Sequence, residues 1–292
     1  MMDQATALRK KLASMNNGEQ EQPKTIAVIS GKGGVGKSNL SLNFSIALSR
    51  FGKKVLLFDM DIGMGNIDIL MGITAHHSIV DLFEKNLTMK ELLIKGPEGI
   101  DYIAGGNGLP NLFKLDEEKS EYLMEQLQFI LNEYDYVIFD MGAGMTEENV
   151  KFLLAMDEIF VITTSEPTAI TDAYSAMKYI CLFDQSIPLY LIVNRAENES
   201  EGMQTLKRVK QVVLQFLVKE VNLLGVLPDD KAVQKAVSHQ EPFLLYAPKA
   251  LISKNLFDIC KKYLDENNEQ IQEKNQDTSF ISKLQRFFVR GR

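Results

Sequence analysis

The chain has 292 residues, 45% hydrophobic and 24% charged, which excludes global disorder and leaves room for two domains or one large α/β sheet. A net charge of −7 excludes DNA binding through overall charge, and two distant cysteines, Cys181 and Cys260, exclude a disulfide framework, a CxxC zinc or redox site and a four-cysteine cluster. No apolar run approaches the roughly 18 residues of a spanning helix, and Met1–Leu12 has no apolar secretory core, so a reducing cytoplasm fits and a membrane would be reached only from its surface.

Residues 3–15 read as a short helix with Ala5, Leu8 and Leu12 on one face and Arg9, Lys10 and Lys11 beside it. Residues 16–23 (NNGEQEQP) form a polar linker, so 1–23 is an N-terminal unit. Residues 24–264 alternate β-branched runs with amphipathic stretches. Strands are expected at Thr25–Ser30, Lys54–Asp59, Tyr136–Asp140, Ile159–Thr163, Leu189–Asn194 and Leu223–Leu227, with a weaker one at Tyr102–Ala104. Between them lie helical patterns at Ser38–Arg50, Glu117–Asn132, Glu147–Ala155, Thr171–Phe183, Met203–Val218, Lys231–Ser238 and Lys249–Leu264. The strands are apolar on both faces, as in a mainly parallel sheet covered by helices on both sides. The expected fold class is therefore a doubly wound α/β sheet with ligands at the carboxyl ends of its strands. Residues 265–278 read as a second polar linker, and 279–292 as a separate basic and aromatic tail.

After the first strand comes GKGGVGKS, which matches GxxxxGK[ST] with a strand before it and a helix after it. Glycines let backbone N–H groups turn inward around phosphate, and the helix start adds its positive end. The nucleotide-binding set is Gly31, Lys32, Gly33, Gly34, Val35, Gly36, Lys37, Ser38 and Asn39. Lys37 would reach the β/γ-phosphates, and the Ser38 hydroxyl would ligate Mg²⁺. The second strand ends at Asp59 and Asp61, beside this loop. Acids there would hold Mg²⁺ or its waters, or orient the attacking water. Asp140 ends another apolar strand and would hold Mg²⁺ through water. An amide at a strand edge, Asn194, can pair with a purine edge. Asp230, after Pro228, suits either a ligand-side loop or a helix cap.

The early lysine, Lys32, resembles the signature of the MinD/ParA class of P-loop ATPases. The resemblance implies an Mg²⁺-dependent ATP hydrolase that binds ATP and ADP and dimerises on ATP, with Lys32 reaching the partner's nucleotide. By the same likeness, Asp61 (in DMDIGMGNID) orients the water and Asp59 supports the metal shell. Glu166 faces the partner's nucleotide, and Asn194, Pro228 and Asp230 surround the base. The family usually carries a proline after the acid of Asp140; Met141-Gly142-Ala143-Gly144 has none.

The tail carries Phe280, Ile281, Leu284, Phe287 and Phe288 on one helical face, with Lys283, Arg286, Arg290 and Arg292 giving +4. This reads as a membrane-surface anchor, or as a helix docked on its own domain or on a dimer mate. The MinD branch has such a tail. The start DQATALR, with Asp3, Gln4, Ala5, Leu8 and Arg9, is similar to the activator motif of the FlhG (YlxH) family of flagellar-number regulators. That likeness implies stimulation of the signal-recognition-type GTPase FlhF, contact with flagellar C-ring switch proteins, and control of flagellar location and number. It also implies an ATP-bound dimer on the inner face of the cell membrane and a cytoplasmic monomer. A cell-division MinD would share the core and tail but not the DQATALR start. A ParA-type DNA-partition ATPase would need a basic surface, for which Lys207, Arg208 and Lys210 are candidates. A non-hydrolysing scaffold would follow if Asp61 stood away from the site.

Overall fold

A computed structural model describes residues 22–61, 65–106, 117–142, 144, 147–270 and 280–289. The N-terminal motif therefore lies outside the described residues. Eight strands form one sheet in the order β3-β4-β2-β5-β1-β6-β7-β8. They are β1 (Lys24–Ser30), β2 (Val55–Met60), β3 (Ile94–Lys95), β4 (Asp101–Ile103), β5 (Tyr136–Met141), β6 (Glu158–Thr163), β7 (Leu189–Ala196) and β8 (Asn222–Pro228). All neighbours pair in parallel except β3, which runs antiparallel to β4 at the edge. The expected doubly wound sheet is the observed one. The two-residue β3 was not among the expected strands.

Side chains alternate across the sheet, and both faces are dry. Ala27, Ile29, Leu56, Phe58, Val137 and Phe139 face one apolar layer; Ile26, Val28, Leu57, Ile138, Phe160 and Ile192 face the other. The second layer is closed by α1 (Lys37–Arg50) and, further along the chain, by Leu256, Cys260 and Tyr263. Short helices α2 (Ile67–Met71) and α3 (Asp81–Glu84) follow β2; α4 (Glu117–Leu131) and α5 (Glu147–Leu153) flank β5. Beyond β6 come α6 (Pro167–Phe183), α7 (Glu199–Leu217), α8 (Lys231–Ser238), α9 (Phe243–Tyr246), α10 (Leu251–Gln270) and α11 (Phe280–Val289).

Two helices begin four residues before their apolar pattern does. Pro167 supplies a fixed φ at the first position of α6. The Asn198 side chain caps α7 by accepting the Glu201 N–H at 3.0 Å. The third departure is at α10, which runs through Gln270 into the segment expected to be linker. The reason is local and buried. Asn267, 5% exposed, donates to the Tyr263 carbonyl at 2.9 Å and accepts from Lys24. Tyr263 donates to Glu158 at 2.6 Å, and Lys24 pairs with the same carboxylate. A charged residue at the start of β6 is thus neutralised by the start of β1 and by α10 together.

The tail helix α11 lies on the layer containing Phe139. Phe280, Ile281 and Leu284 are buried, and the Phe280 ring stands 5.5 Å from Phe139 and 5.8 Å from Phe152 of α5. Lys283 reaches Asp157 at 3.5 Å. Of the alternatives left open by the amphipathic pattern, this structure has the docked one. The side chains of Arg286, Phe287 and Phe288 lie outside the described residues. Because the described side chains of α11 that meet the core are those of Phe280, Ile281, Lys283 and Leu284, Leu284→Asp should release it without unfolding the sheet. Limited trypsin digestion should then cut after Lys283 roughly tenfold faster or more, while the core's melting temperature moves by only a few degrees.

Candidate active site

The site forms where β1, β2 and β5 end side by side. Parallel register pairs Asp59 of β2 directly with Asp140 of β5. The loop after β1 crosses above them. Ser30 Oγ donates to the Lys32 carbonyl at 2.9 Å and starts the turn. Gly36 has φ +94°, and a Cβ there would stand 2.3 Å from Asn194 Nδ2, so only glycine fits. Gly31 packs so closely on α6 that a Cβ would meet the Asp172 backbone at 2.2 Å. α1 then opens with Leu40 N–H bonding to the Gly36 carbonyl.

Three donors on the first turns of α1 converge on Asp140, which is fully buried. Lys37 Nζ lies 2.9 Å from Asp140 Oδ1, Ser38 Oγ donates to Oδ2 at 2.6 Å, and Ser41 Oγ donates to Oδ1 at 2.7 Å. Ser41 was not among the residues expected from sequence. Its signal was spacing: four residues after Lys37, it shares that lysine's helix face. Lys37 also lies 3.9 Å from Asp61 Oδ2. Gly142, just past β5, brings its backbone close to Asp61: a Cβ there would stand 3.3 Å from Asp61 Oδ1.

Electrostatics follow from this crowding. Burial first, and then the neighbouring Asp140 charge, push the Asp59 carboxyl up to about 7 against the pull of the Asp61 N–H and Lys37. Burial also raises Asp61, with Lys37 opposing and Asp140 adding to the rise. Three acids thus share one ammonium, a balance that favours an added cation. Among the described residues no group of three acids, histidines or cysteines is close enough to hold a metal alone. That donor set suits Mg²⁺, which takes one or two protein oxygens and fills its shell with water and phosphate. Ser38 fits the direct role, and Asp140, Asp59 and Asp61 the outer one.

The remaining expected residues sit around the rim. Lys32, 44% exposed, pairs with Glu166 at 3.0 Å and approaches Thr168 Oγ1 at 3.4 Å. Asn194 lies two residues before the end of β7 and donates to the Val35 carbonyl at 2.8 Å, tying this strand to the phosphate loop. Asp230 caps α8, accepting the Ala232 N–H at 2.9 Å, so its side chain has a local structural task. Pro228 ends β8 beside it. Gly33, Gly34 and Val35 complete the loop, with Gly34 in the left-handed region.

Residues 26–243 match the family described as the CobQ/CobB/MinD/ParA nucleotide binding domain. The chain belongs to this family. It is 30% identical over 245 residues to the antiactivator FleN of Pseudomonas aeruginosa, covering 84% of this chain and 88% of that one. It is 31% identical over 238 residues to the flagellum site-determining protein YlxH of Helicobacter pylori, covering 81% and 80%. Among solved structures, a chain of the MinC:MinD cell division protein complex of Aquifex aeolicus superposes with a TM-score of 0.66 at 25% identity, covering 83% of this chain and 96% of that one. The fold is therefore that of a MinD/ParA-family P-loop ATPase. No helix among the described residues is long and apolar enough to cross a membrane.

The raised Asp59 carboxyl has a consequence for stability. Its folded pKa of about 7 exceeds the unfolded value of 3.8. As pH rises between these values the unfolded chain releases the proton first, so the folded state loses stability over that window. Asp59→Asn should remove this loss. The nucleotide-free variant should melt several degrees above the parent at pH 8, and the gap should narrow through pH 5 and close only near pH 4, about the unfolded value, in a melting series.

Proposed function

We propose that this chain is an ATP-driven switch controlling flagellar location and number. ATP would bridge two subunits, and hydrolysis would separate them. The dimer would sit on an anionic membrane through its tail, and the monomer would remain in the cytoplasm. The observation that carries the enzymatic part is the convergence of Lys37, Ser38, Asp61 and Asp140 within one small volume.

The chemistry follows from competition for Lys37. An incoming triphosphate offers its ammonium a second anion. Asp140 keeps its Ser38 and Ser41 donors and can accept a metal-bound water. Mg²⁺, when bound, neutralises charge on the β- and γ-phosphate oxygens. Asp61 Oδ2 lies on the Lys37 side of the cluster, where a carboxylate can orient water toward the γ-phosphate. Proton abstraction is a small part of such a reaction; placing the water is the larger one.

Lys32 supports the dimer reading. Its bond to Glu166 joins two side chains that are 44% and 66% exposed. Such a pair is worth about 0–1 kcal/mol. It holds the lysine outside its own phosphate loop yet gives way to a partner's phosphates. Lys32→Ala should leave monomeric ATP binding within about threefold of the parent in calorimetry. Light scattering should then find monomer in ATP where the parent dimerises. An ATP dimer at normal protein concentration would reduce Lys32 to a loop residue.

The flagellar assignment leans on the likeness to FleN and YlxH together with the DQATALR start. In this reading residues 3–15 stimulate FlhF, and C-ring switch proteins are partners. The docked α11 would be the membrane-free form, with Phe280, Ile281 and Leu284 spent on the chain's own core. Each basic residue near anionic lipid contributes about 1 kcal/mol. One tail therefore binds weakly, and two tails in a dimer bind far better. Sedimentation with vesicles containing anionic lipid tests this. Binding should need ATP, weaken with salt, and vanish when Phe280, Leu284 and Phe287 are all changed to Ser. Equal binding in ADP and ATP would discard the switch; equal binding by the triple variant would discard the anchor.

A further inference from the structure

Tyr102 lies on β4, one strand outward from β2. Its side chain is 1% exposed, and its hydroxyl stands 3.3 Å from Asp59 Oδ2. The other oxygen of Asp59 accepts the Asp61 N–H at 2.9 Å. The chain beyond Asp61 returns to the same carboxylate: a Cβ at Gly65 would stand 2.9 Å from Asp59 Oδ2. Asp59 therefore meets both Asp61 and Gly65.

A carboxylate turns broadly about its last bond unless something holds it. Here the phenol holds one oxygen, and that fixes where the second points. The second oxygen in turn fixes the backbone of Asp61. Phenylalanine would fill the same apolar space beside Val55, Leu57 and Ile100 without the hydroxyl. Packing therefore calls for the ring and leaves the hydroxyl to be explained. Buried hydroxyls need a partner, and this one is aimed at the residue that anchors Asp61.

We propose that Tyr102 is a positioning residue for ATP hydrolysis: it holds the Asp59 carboxylate, which holds the backbone of Asp61 and so the carboxylate that orients water. Tyr102 itself is two links from the reacting atoms. The inference rests on the reading of Asp61 given above. It differs from a phosphate-binding role because Asp59 and Asp61 would meet the nucleotide only through Mg²⁺ and water, and Tyr102 meets neither.

The test is Tyr102→Phe in the full-length chain, with Asp61→Ala assayed beside it. A small displacement of a water-orienting group is costly, so kcat should fall about tenfold. KM for ATP, ATP affinity by calorimetry and the ATP dimer should stay as in the parent. In the nucleotide-free protein, hydrogen exchange at the Asp61 amide should speed up, which reads the same link without turnover. Unchanged kcat in Tyr102→Phe with a dead Asp61→Ala would overturn the positioning role alone. Normal turnover in Asp61→Ala would overturn the reading of Asp61 beneath it. Parallel losses of kcat, ATP affinity and melting temperature in Tyr102→Phe would reduce the hydroxyl to packing and overturn the proposal.

Discussion

A carboxylate buried at the end of a strand must be neutralised where it stands, and Asp140 is that carboxylate here. Leaving it unpaired would cost several kcal/mol. Its three donors, Lys37, Ser38 and Ser41, all come from the first turns of α1. The same set of bonds therefore docks the helix on the sheet and shapes the loop that precedes it. Asp59 stands beside it in register and adds a second negative group to the same volume. One ammonium serves both, so the cluster is charged against itself. A site in that condition gains from a divalent cation and from phosphates that take up the lysine, which is the electrostatic logic of a nucleotide switch.

What could be read from the chain followed from spacing that physics makes rigid. The phosphate loop is a run of contiguous residues between a strand and a helix, so Lys37 and Ser38 have little freedom in where they lie. Asp59 and Asp140 were legible because each closes an apolar run at the same edge of a parallel sheet. Ser41 was missed although its place on the helix face of Lys37 was computable. Tyr102 could not be assigned a task, because the register of β4 on β2 sets its neighbour, and β4 is three residues long. The end of α10 was hidden for a related reason. Asn267 is helical and buried because Lys24, 243 residues away in sequence, meets it. The pairing of Lys32 with Glu166 was equally out of reach, since it joins two loops 134 residues apart.

The tail shows why an amphipathic pattern alone leaves its partner open. A face built from Phe280, Ile281 and Leu284 is satisfied by acyl chains or by a protein surface, since both remove the same area from water. What favours the protein surface here is shape. Phe139 and Phe152 leave a seat in which the Phe280 ring meets one tilted and the other edge-on, at angles of 32° and 82°. Lys283 finds Asp157, whose other oxygen already accepts the N–H and hydroxyl of Thr25 at the start of β1. Charge and ring geometry thus agree on one docking pose, whereas a lipid surface would ask only for the stripe and the positive charge.

The place of that seat links the tail to the chemistry. Phe139 precedes Asp140 on β5, and successive side chains point to opposite faces. The strand that sends a carboxylate toward the phosphate loop at Asp140 therefore sends a ring toward α11 from the position before it. Phe152 belongs to α5, on the far side of the segment that begins at Gly142 against Asp61. The two rings under Phe280 are thus carried by the two elements that flank this segment.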